Sequence, residues 1–161
     1  LSKVQVRERA DLSGNQIVER LTTIAPKCVR GRRHTPGLVR NHATLAIDGP
    51  VHERWKLGYL IDTIYLRDLW MHRVDTSHAL ARPVELTADH DGRIVADVVA
   101  EWARRHGRPF VLELTGPAGG AYACERDALG AENFSLDAVE FCRTLAGRSP
   151  ASGLLTTIVP F

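Results

Sequence analysis

The chain has 161 residues, 44% of them hydrophobic and 25% charged, the balance of a soluble globular protein with room for one compact domain or two small ones. A formal net charge of +2 is too small to imply nucleic-acid or anionic-membrane binding, and no uninterrupted apolar run approaches the roughly 18–20 residues that span a bilayer. No signal peptide is expected from the visible sequence, and a start at Leu1 leaves a fragment of a longer protein open; Cys28, Cys124 and Cys142 form no CxxC pair, and the expectation is three small apolar core residues in a reducing cytoplasm.

Ser13 is positioned to cap a helix through GNQIVERLTTIAPKCVRG, with Ile17, Leu21, Ile24 and Cys28 at helical spacing on one face. Pro26 predicts a kink or break in its fourth turn. The stretch VRGRRHTPGLVRNH is basic and holds a Pro-Gly pair, so it reads as a linking segment. Its Arg30, Arg32, Arg33 and Arg40 fit anion binding or a solvated charged turn, and without interleaved aromatics they do not suggest nucleic acid. From about Trp55 to Leu80 the pattern predicts the strongest helix of the chain, with Pro83 just beyond its end.

Ala88–His106 is predicted as a second amphipathic helix, with Ile94, Val95, Val98, Val99 and Trp102 as its apolar side. Asp89 or Asp91 is the expected N-cap, and Gly107 suits the C-terminal cap. PFVLELTGPAGGAYACE reads as strand, turn, strand. Ser135 is expected to open the helix SLDAVEFCRTLAG, which Gly147 can close, and the β-branched run GLLTTIVPF is expected to be a last strand. Helix, two strands, helix, strand describes a small α+β unit with helices on one face of a sheet.

The long helix carries a polar row. At about 100° per residue, Asp68 and His72 lie one turn apart on one side, with Tyr65 and Asp75 beside them, while Met71 and Val74 fall elsewhere and can pack. A carboxylate and an imidazole at i, i+4 can reach one divalent cation, the spacing by which bundle helices build metal sites. Asp75 is then placed to hold the second imidazole nitrogen and fix its tautomer. The same spacing also suits a plain surface pair worth roughly 0.3 kcal/mol. His34, His42 and His52 lie in or beside the basic segment, and one of them could complete a site. His78, His90 and His106 lie off the row or at helix ends, where solvated or capping roles suffice. Arg67 and Arg73 flank the row but point away from it.

The ordered series YLIDTIYLRDLWMHRVD, VVAEWARRHGRP, LTGPAGGAYA, LDAVEFCRTLAGR and GLLTTIVPF runs over most of the chain. It resembles the mycothiol-dependent maleylpyruvate isomerase family, within the wider DinB-like metalloenzyme group. The resemblance implies an α+β fold: a truncated DinB-like helical bundle over 1–83, then a small sterol-carrier-like α+β domain over 84–161. It implies a divalent metal, usually zinc, with Asp68 and His72 as two of its ligands; the family often has Glu at the first position. It also implies mycothiol, an actinobacterial thiol, as co-substrate, and isomerase or S-transferase chemistry on a small electrophilic substrate.

The family's third ligand, a histidine on an early bundle helix, has no counterpart here. VQVRERADLSG resembles the stretch just after the second bundle helix, so the first half of the bundle is expected to be missing. Two readings follow: an enzyme whose metal site needs one more donor, or a non-catalytic ligand-binding or interaction protein on the same scaffold. An uncovered apolar side of the long helix predicts dimerisation, as a homodimer, or aggregation of the isolated chain.

Overall fold

The computed structural model describes residues 2–48, 52–125 and 128–161. It is an α+β structure of helices and two small sheets, and it divides into a unit of residues 1–61 and a unit of residues 62–161. The expected boundary lay later, at 83. The long helix accounts for the difference: Trp70, Met71 and Val74 are buried in the core of the second unit.

The first unit opens with α1 (Ser2–Arg7) and α2 (Gly14–His34). Ser13 caps α2 as expected: its hydroxyl accepts the Gln16 N–H at 3.3 Å, and the Gln16 side-chain oxygen accepts the Ser13 N–H at 2.9 Å. This reciprocal pair satisfies donors that have no partner within the helix. The helix does not end at Pro26, which removes one backbone donor, and it runs on through the basic stretch to His34. The linking segment expected there is therefore helical through His34, because arginine is a good helix former. Pro36 then sets the start of a short helix, α3 (Gly37–His42).

An antiparallel hairpin follows, β1 (Thr44–Asp48) with β2 (His52–Lys56), in the register Thr44 opposite Lys56 and Asp48 opposite His52. Trp55, expected at the start of the long helix, is in β2. Its indole N–H donates to Glu53 at 2.6 Å, and its ring meets Tyr59 edge-on at 5.4 Å. The Leu57 N–H donates to the Ala43 carbonyl at 2.9 Å and closes the hairpin before the helix begins. A wide helical turn over Tyr59–Ile64 then leads into α4 (Tyr65–Ala79).

In the second unit, α4 is followed by a wide turn, Ala88–Gly92, and α5 (Arg93–His106). Thr87, not either aspartate, caps this start. Its hydroxyl accepts the His90 N–H at 3.3 Å, while Asp91 accepts the Thr87 N–H at 2.6 Å. Gly107 closes α5 with φ +61°, the left-handed region that glycine enters without strain. Strands β3 (Phe110–Thr115), β4 (Gly120–Cys124) and β5 (Glu132–Asp137) form a sheet in the order β4-β3-β5. β4 lies antiparallel to β3 through the GPAGG turn, where a Cβ on Gly119 would collide with the Leu114 carbonyl oxygen.

β5 corrects two expectations. It runs parallel to β3 and takes Ser135 into a strand, and α6 (Ala138–Leu145) is capped instead by Asp137. The Asp137 carboxylate accepts the Val139 and Glu140 N–H groups at 2.8 and 3.1 Å. The expected last strand is a short 3₁₀ turn, Gly153–Thr156, followed by irregular chain. Its backbone is engaged elsewhere: Trp102 donates to the Leu154 carbonyl at 3.0 Å, and the Val159 N–H to the Leu145 carbonyl at 3.2 Å. Leu154 and Val159 cover the core of α4, α5, α6 and the sheet. Of the three cysteines only Cys142 is in that core; Cys28 and Cys124 are exposed, and all three are free thiols. Among the described residues no helix is long and apolar enough to cross a membrane.

Candidate metal half-site and its supports

α4 has two distinct faces. One buries Arg67, Trp70, Met71 and Val74. The other carries Asp68 and His72, whose side chains are 46% and 64% exposed and meet with Oδ1 and Nε2 3.4 Å apart. The same outward side carries Tyr65 and Leu69, 45% and 63% exposed. One hard oxygen and one imidazole nitrogen, adjacent and open to solvent, suit a divalent cation as two of its donors. Among the described residues, no group of three His, Cys, Asp or Glu side chains gathers to hold a metal. The pair therefore fits as part of a site, and a full coordination shell needs donors from elsewhere.

Asp75 has a different set of partners from the one expected. Its two carboxylate oxygens accept from Arg143 at 3.2 Å and Arg148 at 3.0 Å, tying the C-terminal half of α4 to α6 and the chain just after it. His34 places Nδ1 2.8 Å from the Arg30 carbonyl, His52 lies 3.4 Å from Asp48 in its own hairpin, and His42 is in the last turn of α3.

Arg67 and Arg73 do point away from the row, and each has a structural role that spacing did not reveal. Arg67 is 1% exposed; it donates to Asp97 at 2.7 and 3.0 Å and to Glu101 at 2.7 Å. Glu101 also accepts from Arg105 at 2.9 Å, so opposite charges alternate through the network. The sequence signal was Asp97 and Glu101, an acidic i, i+4 pair on a helix whose other face is apolar. Arg73 pairs with Asp91, which also accepts the Trp70 indole N–H at 2.9 Å. Burial alone would raise the Asp91 pKa. The Thr87 N–H, the Trp70 indole and Arg73 together outweigh that and hold it below the usual carboxylate value.

Beside these supports, Asp62, Leu66, Arg67, Asp89, Arg93 and Asp97 line a cleft of about 350 Å³. Burial pushes the Cys142 thiol well up, so it is a packing group and not a nucleophile. No family model, curated protein or solved structure matches the chain.

Proposed function

We propose that Asp68 and His72 bind a divalent metal, zinc by the chemistry of its donors, and that the chain serves mycothiol-dependent thiol chemistry on a small electrophilic substrate, as an isomerase or S-transferase. The observation that carries this reading is the exposed Asp68–His72 pair, with donor atoms 3.4 Å apart on one face of a helix. The resemblance to the maleylpyruvate isomerase family supplies the reaction class and the DinB-like assignment of the helical part.

The chain's own residues give such a pair a firm base. Trp70, Met71 and Val74 bury the opposite face of α4, and the two arginines on Asp75 hold its far half, so the donors project from a fixed backbone. Tyr65 and Leu69 flank the pair with apolar surface against which a substrate could exclude water. Zinc bound there would lower the pKa of a coordinated thiol and make thiolate available near neutral pH.

The test is zinc content of the purified chain by mass spectrometry, beside the double variant Asp68→Ala/His72→Ala, followed by an assay for mycothiol-dependent turnover. Zinc held by the wild type and lost in the variant is the expected result. Equal zinc in both removes the proposal. The second reading, a non-catalytic ligand-binding or interaction protein, is favoured by the need for donors beyond Asp68 and His72; zinc binding without thiol-dependent turnover would select it.

A further inference from the structure

We infer that Asp68 and His72 are one half of a cation site that a second copy of this chain completes with the same two residues. This rests on the metal reading above and adds where the missing donors come from. Zinc takes about four ligands, and the described residues of one copy bring two together. In a twofold interface each copy presents the same patch to the other, so two donors become four with no new residue type.

The charges on α4 point the same way. Arg67 is paired with Asp97 and Glu101, Arg73 with Asp91, and Asp75 with Arg143 and Arg148. Asp68 meets the imidazole of His72 and, among the described residues, no arginine or lysine. Two copies facing each other bring two Asp68 carboxylates together, which repel until a divalent cation lies between them and cancels their charge. Tyr65 and Leu69 add apolar contact on each side. Four side chains per copy fall well short of the roughly 800 Å² per partner that a stable interface buries. Association through this face is therefore metal-dependent, not constitutive.

The experiment takes the full chain stripped of metal and titrates it with zinc chloride. Mass is read by sedimentation velocity and bound zinc by mass spectrometry. The expected result is a doubling of mass as zinc approaches about one ion per two chains, reversed by EDTA. Asp68→Asn and His72→Ala should each remain single at every zinc concentration, with an unchanged far-ultraviolet circular dichroism spectrum because both side chains are exposed. Leu69→Arg leaves both donors in place and should raise the zinc needed for doubling about tenfold, the effect of a charge at an apolar contact. About one zinc per chain on a particle of unchanged mass would overturn the inference and leave the metal reading standing. No bound zinc would overturn both. Doubling that occurs without zinc and survives His72→Ala would also overturn the inference.

Discussion

Arg67 Nη1 donates to Glu101 Oε2 at 2.7 Å, and both side chains are almost completely buried. Neither ion meets water, so each depends on its protein partners for solvation. Arg67→Met removes the buried cation that faces Glu101 and leaves it to the more exposed Arg105 and Arg104. The expected loss is about 3 kcal/mol of unfolding free energy, read from urea denaturation. Arg67→Met/Glu101→Leu removes both ions and should recover more than half of that loss. A double variant no more stable than the single one would assign the cost to packing instead of charge.

His106 sets an acid limit on stability. Its Nδ1 accepts the Arg108 N–H at 3.0 Å, so the neutral ring carries its proton on the buried Nε2, between Trp102 and Phe110. Burial, helped by Arg108 and opposed by Glu132, holds its pKa below the ordinary value of 6.5. The unfolded chain therefore takes up the proton first as pH falls. Stability is full above about 6.5 and declines below it, by at most about 1.4 kcal/mol per pH unit until the folded ring also titrates. His106→Gln can still accept from Arg108 and has no charge to gain. Urea midpoints of the two proteins should converge between about pH 7 and pH 5. A gap that stays constant with pH would show that the ring does not titrate in this window.

Asp75 separates anchoring from metal binding. Asp75→Asn weakens the contacts to Arg143 and Arg148, which are partly exposed, so the expected cost is about 1 kcal/mol by thermal melting. Zinc retention should be unchanged, because the carboxylate engages arginines and not His72. Zinc lost in this variant, with the melt unaffected, would return Asp75 to the role its spacing suggested.

The parts of the molecule that were legible in sequence are the local ones. The Ser13 cap, the apolar face of α5, the Gly107 stop and the alternation of VLELT all depend on residues within a turn or a strand of each other. The Asp68–His72 approach was legible for the same reason. β5 was not, because ENFSLD has weak strand propensity and becomes a strand by pairing with β3, more than a helical turn away in sequence and on the side opposite its hairpin partner. The partners of Asp75 lie 68 and 73 residues further along the chain, and no spacing rule reaches that far.

Arg67 also donates to the Pro160 carbonyl at 3.2 Å, a contact that spans 93 residues. One guanidinium thus closes the second unit into a ring, from its first long helix to its last residues. Such a closure resists peeling from the tail, because freeing residues 159–161 exposes the same buried cation that fastens α4 to α5. The unit should exchange its amide protons as a single cooperative block, with the tail as slow as the helix it clasps.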